Sequence, residues 1–151
     1  MEPTAHNDLT WMLDELTAVD QVLHALVLST DGLVVQKSRS LAQDAAELLA
    51  AAASSLYSVG AGVGRRFDGG PVDQIIVEFH DRTLFIASAG ENARLAVIGD
   101  EEVDMGTVAY EMGRLVTRIG QYLGAQRRTL YGPNGTDQTT LKASINGHAG
   151  L

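Results

Sequence analysis

The stretch "GAGVGRRFDGG", Gly60 to Gly70, decides which fold the rest of the sequence can adopt. Its five glycines and two adjacent arginines have the composition of a loop that cradles phosphate. Neither of the two common phosphate-binding patterns is complete, however. The third glycine of G-x-G-x-x-G is replaced by Arg65, and the lysine of G-x-x-x-x-G-K-[ST] is replaced by Gly70.

The segments on either side of the glycines are in the wrong order for a nucleotide site. Residues 41–66 are rich in alanine, the best helix former. Residues 72–80 alternate as a strand does, with Ile75, Val77 and Phe79 on one face. The glycines therefore lie at the C-terminal end of a helix, whose partial negative charge repels phosphate, and we expect no nucleotide there.

The helix before the glycines either continues through them or frays beyond Val59. Each glycine inside a helix costs about 1 kcal/mol relative to alanine. We favour continuation to Arg66, because Val63 stays in phase with an apolar stripe and Gly69-Gly70-Pro71 is the stronger stop signal. That stripe is predicted to pack on a sheet, and it comprises Ala45, Leu48, Ala52, Leu56, Val59 and Val63.

Five strands are predicted around this helix. Residues 22–37 form a hairpin that turns at Asp31-Gly32, a dipeptide that tolerates positive φ at both central positions. Residues 72–80, 84–89 and 94–98 follow one another so closely that they can pair only as antiparallel neighbours.

Capping residues and apolar stripes complete the prediction for the helices. The caps are Asn7 or Asp8 for the first helix, Ser40 with Gln43 for the second, and Asp104 for a third that ends near Gly124. The buried stripes are Leu9, Met12, Leu13 and Leu16 in the first helix, and Val108, Met112, Leu115 and Ile119 in the last. The order α-β-β-α-β-β-β-α predicts an α+β sandwich, a five-stranded antiparallel sheet with helices on both faces.

Length and composition indicate one domain in a chain of 151 residues. We expect a flexible N-terminus at 1–7, a folded unit at 8–124 and a disordered tail at 125–151, where periodicity is lost. A net charge of -8 argues against nucleic acid, and the absence of cysteine excludes disulfides and thiolate metal sites. The acidic start is unlike a signal peptide, and no apolar run is long enough to cross a membrane, so a cytoplasmic protein is expected.

The sequence contains no recognisable catalytic pattern. Neither H-E-x-x-H nor G-x-S-x-G occurs, and the acidic run at 100–104 lacks the spacing of a calcium loop. Arg65 and Arg66 could act as an arginine finger, but we favour neutralisation of the last carbonyls of a helix. We therefore expect no enzyme activity, no metal and no cofactor.

Three stretches together resemble the Roadblock/dynein light-chain family, and most closely its actinobacterial branch associated with Ras-like GTPases. They are "LDELTAVDQVLHALVLSTDGLVV" (13–35), "GGPVDQIIVEFHDRTLFIASAGENARLAVIGD" (69–100) and "DMGTVAYEMGRLVTRIGQYL" (104–123). The resemblance spans roughly Leu9 to Leu123. It implies a Roadblock/profilin-like fold, with the long second helix on one face of the sheet and the other two helices on the opposite face.

The resemblance also implies a homodimer formed through the long helix and the third strand. The contact residues expected from it are Ala46, Ala50, Ala53, Tyr57, Ala61 and Gly64 on the helix, with Gln74, Ile76 and Glu78 on the strand. A substitution of Ala50 by glutamate is then expected to break the dimer, because a buried carboxylate is costly.

The function implied by the resemblance is that of a non-catalytic dimeric regulator or scaffold that binds a small Ras-like GTPase. Two alternatives stay open. One is a small-molecule-sensing module, for which His24 and Gln74 are the candidate inward-facing polar groups. The other is a plain scaffold for a sensor-kinase-like protein, without effect on GTP turnover.

Overall fold

The computed structural model describes residues 4–130 of the chain. Its elements follow the predicted order α-β-β-α-β-β-β-α. They are α1 (Thr4–Thr17), β1 (Val22–Ser29), β2 (Val34–Lys37), α2 (Gln43–Arg66), β3 (Gln74–Glu78), β4 (Arg82–Ser88), β5 (Ala93–Asp100) and α3 (Met105–Leu130).

The five strands form one antiparallel sheet in the order β2-β1-β5-β4-β3. The central strand, β5, is covered on both faces, since Leu95, Ala96 and Val97 are buried one after another. β2 and β3 are the edges, and β3 leaves Ile76 and Glu78 exposed. The predicted antiparallel pairing is confirmed.

Successive residues of the strands alternate between two apolar cores. In β1, Ala25 and Val27 belong to the core beneath α1 and α3, whereas Leu26 and Leu28 belong to the core beneath α2. The predicted buried stripes of the first and last helices are confirmed, with no side chain more than 7% exposed: Leu9, Met12, Leu13, Leu16, Val108, Met112, Leu115 and Ile119. The sandwich therefore has α2 on one face and α1 with α3 on the other.

Two of the three predicted helix starts are wrong. α1 begins at Thr4, before Asn7, so part of the segment predicted to be flexible is helical. α2 has Ala42 at its N-cap and no side-chain cap. The Ser40 hydroxyl, expected to cap it, donates instead to the carbonyl oxygen of Leu23 at 2.8 Å. A carbonyl oxygen of β1 thus takes the place of the predicted local contact of Ser40.

The predicted cap of the last helix is confirmed, but its predicted end is wrong. Asp104 accepts hydrogen bonds from the Gly106 amide at 3.1 Å and the Thr107 hydroxyl at 2.8 Å. α3 continues past Gly124 to Leu130, because one glycine costs a helix only about 1 kcal/mol and residues 125–128 are alanine, glutamine and two arginines. Residues 125–130 of the predicted tail are thus helical, and 131–151 lie outside the described residues.

The turn between β1 and β2 differs from the predicted one. Only Gly32 has a positive φ, at 86°, whereas Asp31 does not. The amide of Ser29 pairs with the carbonyl of Leu33 at 2.9 Å, which makes a three-residue loop. The Asp31 carboxylate accepts from the Ser29 hydroxyl at 2.6 Å, a local bond that holds the aspartate in an ordinary backbone conformation.

Candidate interaction surface

The small residues of α2 face the sheet, which is the reverse of the predicted orientation. Ala46, Ala50 and Ala53 are completely buried. They belong to the core that also contains Leu26 and Ile86. Their predicted role as dimer contacts is therefore wrong, because the sheet of the same chain already covers them.

The size of the opposing side chains explains this orientation. The sheet presents leucines and isoleucines to α2, and a helix that offers alanine to such a surface can approach closely and leave no void. The remaining members of the predicted contact stripe, Tyr57, Ala61 and Gly64, are half-buried on the same side of α2.

The opposite side of α2 faces away from the sheet and carries what we call the outer stripe: Ala45, Leu48, Ala52, Leu56, Val59 and Val63. This is the stripe that was predicted to pack on the sheet, and that prediction is wrong. Leu48 is 74% exposed, Val59 66% and Val63 54%. A row of exposed aliphatic side chains of this length is typical of a protein–protein contact surface.

The C-terminal half of α2 lies along the β3 edge of the sheet. A Cβ added at Gly60 would be 3.2 Å from Cδ1 of Ile75 in β3. The Tyr57 hydroxyl donates to the carbonyl oxygen of Val72, just before that strand, at 3.1 Å. Gly60 and Tyr57 therefore lie against the edge strand and the segment before it, in the same half of α2 as Val59 and Val63 of the outer stripe.

The strand residues predicted as contacts lie on this edge strand. Ile75 and Val77 pack toward α2, so the alternation predicted for β3 is confirmed for these two residues. It is wrong for Phe79, which lies beyond the end of the strand at Glu78 and is 57% exposed. Gln74, Ile76 and Glu78 point to the opposite face, where Ile76 is 41% exposed. The three predicted strand residues therefore lie on the edge strand that α2 packs against, but on the opposite face of the sheet from α2.

The glycine-rich stretch ends a helix, as predicted, and α2 runs through Gly60–Gly64 without a break. The Gly69 amide bonds the Gly64 carbonyl at 2.7 Å, while Asp68 adopts a φ of 60°. This is a Schellman-type end. Gly64 is required there, since a Cβ at this position would clash with the carbonyl oxygen of Gly70.

The polar groups singled out from the sequence do not converge on a reactive centre. His24 contacts Ser40, with Nδ1 2.8 Å from the hydroxyl oxygen. Burial, and secondarily the positive charge of Arg82, lowers the pKa of His24 below 6.5. Among residues 4–130 no cluster of three histidine, aspartate or glutamate side chains is placed to hold a metal ion.

α2 is, within the described part of the chain, the one helix that length and composition alone would allow to cross a membrane. Its Ala46, Ala50 and Ala53 side chains are sealed against the sheet. The apolar character of α2 is thus explained by two opposite faces, one inside the domain and one on its surface.

Comparison with known proteins identifies the fold and the family. The profile of the Roadblock/LC7 domain matches residues 9–99. A Roadblock/LC7 domain of Streptomyces avermitilis, solved by crystallography, is 42% identical, with a TM-score of 0.73 over 77% of this chain and 98% of that one. The chain belongs to the Roadblock/LC7 family. The predicted membership of the Roadblock family is thereby confirmed, whereas the predicted association with Ras-like GTPases stays a prediction.

Two more distant structures share the Roadblock/LC7 fold. A structure of MglB with a tetrameric arrangement is 17% identical, with a TM-score of 0.73 over 81% of this chain and 92% of that one. Profilin IB of Acanthamoeba castellanii is 14% identical, with a TM-score of 0.56 over 74% of this chain and 96% of that one. No curated relative matches the chain.

The sequence identified the two stripes of α2 but did not determine which of them faces the sheet. Ala50 and Leu48 are two positions apart in one apolar helix, and either could have faced the sheet. The size of the strand residues that face α2 was the signal that could have determined the orientation of the helix. Leu26, Leu28, Leu84 and Ile86 are bulky, so the face of α2 opposite them had to be small.

Proposed function

We propose that this Roadblock/LC7 protein forms a cytoplasmic homodimer through the outer stripe of α2 and the adjoining β3 edge. The dimer then acts as a non-catalytic regulator or scaffold for a small Ras-like GTPase. The observation that carries the proposal is the exposure of Val59 and Val63 in the half of α2 that packs beside the edge strand β3. The contact residues differ from those expected at first, because Ala46, Ala50 and Ala53 are inside the domain.

Burial of the outer stripe against a partner is favoured by the hydrophobic effect. Complete burial of one leucine or valine side chain contributes about 1.5–3 kcal/mol. A large part of this free energy is still available at Leu48, Val59 and Val63, since each of them is more than half exposed. An uncovered edge strand is in addition a site of uncontrolled pairing, and a symmetric partner removes that hazard.

Self-association of a related fold supports the proposal. The MglB structure described above has a tetrameric arrangement. The sequence resemblance adds the GTPase as partner, and it implies a regulator that does not hydrolyse GTP itself.

The test uses a Ras-like GTPase encoded in the same genome. Light scattering measures the mass of the protein alone, and GTP turnover by the GTPase is measured with and without it. We expect a dimer and a change in turnover that Val59→Glu abolishes. Thr117→Glu, which places the same charge on the exposed surface of α3, is the matched control. Dimerisation without any binding of the GTPase would refute the regulatory role, and binding without altered turnover would leave a scaffold for other partners.

A further inference from the structure

A concave surface lies on the α1/α3 face of the sheet, opposite the outer stripe of α2. It is a cleft of about 700 Å³ between the β4–β5 turn and the last turns of α3. This volume is within the range of pockets that hold small molecules. Neither His24 nor Gln74, the polar groups expected for a sensing pocket, is part of its described lining.

Backbone contact between two glycines shapes the cleft. Gly90 in the β4–β5 turn has a φ of +84°, and a Cβ there would be 3.0 Å from the Cα of Gly120 in α3. The turn therefore rests directly on the helix. One turn further along α3, Gly124 has no side chain, and the helix leaves open the space next to Leu123.

The lining of the cleft combines apolar side chains with two cations. Its apolar part, which we call the floor, consists of Val35, Ala89, Ala93 and Leu123; Val35 is 41% exposed, whereas Ala89 and Ala93 are at most 2% exposed. Arg127 and Arg128 are its basic lining residues. When the Asn92 amide is oriented with its oxygen toward α3, it accepts hydrogen bonds from both terminal nitrogens of Arg127 and positions that guanidinium.

These arginines have no carboxylate partner within residues 4–130. The ion pairs there join other residues, and Glu91, although it also lines the cleft, pairs with neither arginine. Arginines in the last turn of a helix do complement its dipole. Interaction with the helix dipole does not explain why both arginines border an apolar hollow. It also does not explain why Asn92 orients Arg127.

We propose that this cleft binds a small soluble amphiphilic anion, with a short aliphatic chain on the floor and one carboxylate at Arg127 and Arg128. A guanidinium suits a carboxylate because its donors match the two oxygens. The site is independent of dimerisation through α2 and of the GTPase, so either can fail without the other.

The first test is an NMR titration of the full chain with three probes: hexanoate, hexan-1-ol and acetate. Hexanoate has both features of the ligand, whereas hexan-1-ol lacks the charge and acetate lacks the chain. We expect saturable shifts of the Gly90, Gly120 and Leu123 amides with hexanoate at millimolar concentration, and much weaker shifts with the other two. No saturable shift with hexanoate, or an equal response to hexan-1-ol, would overturn the proposal.

The second test fills the cleft without harming the fold. A Cβ at Gly124 would meet only Nη1 of Arg128, at 3.7 Å, and Gly124 lines the cleft, so we expect Gly124→Leu to place its side chain in the hollow. We expect this variant to melt no lower than the wild type and to lose hexanoate binding. Gly113→Leu is the control, because a Cβ at Gly113 meets nothing within 4 Å and lies outside the cleft. Unchanged binding by Gly124→Leu would rule out the cleft.

The third test removes the charges. We expect the double substitution of Arg127 and Arg128 by glutamine to weaken hexanoate binding by about tenfold or more, the loss typical of a charge-assisted contact. The same change at Arg65 and Arg66 is the control, since these arginines also end a helix but lie outside the cleft. Equal losses in the two double variants would show a nonspecific charge effect and contradict the site.

Discussion

The guanidinium carbon of Arg94 lies 3.8 Å from the centre of the Tyr57 ring. The same tyrosine donates its hydroxyl hydrogen to the Val72 carbonyl oxygen at 3.1 Å. One side chain thus connects α2, the central strand β5 and the segment that leads into β3. Tyr57, which the sequence had indicated as a dimer contact, stabilises the domain itself.

Replacing Tyr57 is therefore expected to lower the stability of the monomeric domain. Tyr57→Phe loses one hydrogen bond and should reduce the free energy of unfolding by about 1 kcal/mol. Tyr57→Ala also loses the ring over Arg94 and should cost about 2–3 kcal/mol. Urea unfolding followed by circular dichroism measures both. Tyr110→Ala, at a tyrosine that is 66% exposed, should stay within about 0.5 kcal/mol of the wild type.

Two glycines in the last turns of α2 should respond in opposite directions to alanine. A Cβ at Gly62 would meet only Nη2 of Arg65, at 3.9 Å, so Gly62→Ala should stabilise the helix by up to about 1 kcal/mol. A Cβ at Gly64 would clash with the Gly70 carbonyl oxygen, so Gly64→Ala should destabilise by about 1–3 kcal/mol. Thermal unfolding compares the two variants. A Gly64→Ala variant more stable than the wild type would contradict the tight helix end.

Periodicity predicted the element order correctly because strands and helices repeat with different periods. The alternation around Ile75 and Val77 and the spacing of Val108, Met112, Leu115 and Ile119 each fit one kind of element. Boundaries were less predictable. The continuation of α3 past Gly124 and the start of α2 after Ala42, without a side-chain cap, depend on small energies and on tertiary hydrogen bonds that no local pattern contains.

The candidate surface was harder to predict than the fold. α2 has an alanine stripe and a leucine–valine stripe side by side, and both satisfy the helical period. Which one is buried depends on the volume that the sheet leaves free, a property of residues as distant as Leu26 and Ile86. The cleft at Gly90 and Gly120 depends likewise on contact between segments 30 residues apart in the sequence.

The stability of the domain is expected to fall below neutral pH because of His24. Burial and then the nearby charge of Arg82 lower the pKa of His24 in the folded chain below 6.5. The unfolded chain then binds the proton more readily. The contribution of His24 is therefore complete above pH 6.5 and is lost progressively as the pH falls toward the folded-state pKa.

Denaturant unfolding at a series of pH values between about 7.5 and 5.5 measures this effect. His24→Asn should flatten the pH dependence over that range, because the titrating group is gone. His80→Asn changes an exposed histidine of the turn between β3 and β4 and serves as the control. If His24→Asn and the wild type lose stability in parallel, the effect does not come from His24.

Glutamate at two neighbouring positions of α2 should separate folding from association. Ala50 is completely buried, so Ala50→Glu places a carboxylate in the core and is expected to unfold the domain, not merely to dissociate a dimer. Leu48 is 74% exposed, so Leu48→Glu should leave the circular dichroism spectrum unchanged and should shift the mass in light scattering from dimer to monomer. The two readouts are independent, because a folded monomer keeps its spectrum and an unfolded chain does not. A Leu48→Glu variant that stays dimeric would show that the outer stripe is not where two copies meet. A folded Ala50→Glu variant would contradict the packing of α2 on the sheet.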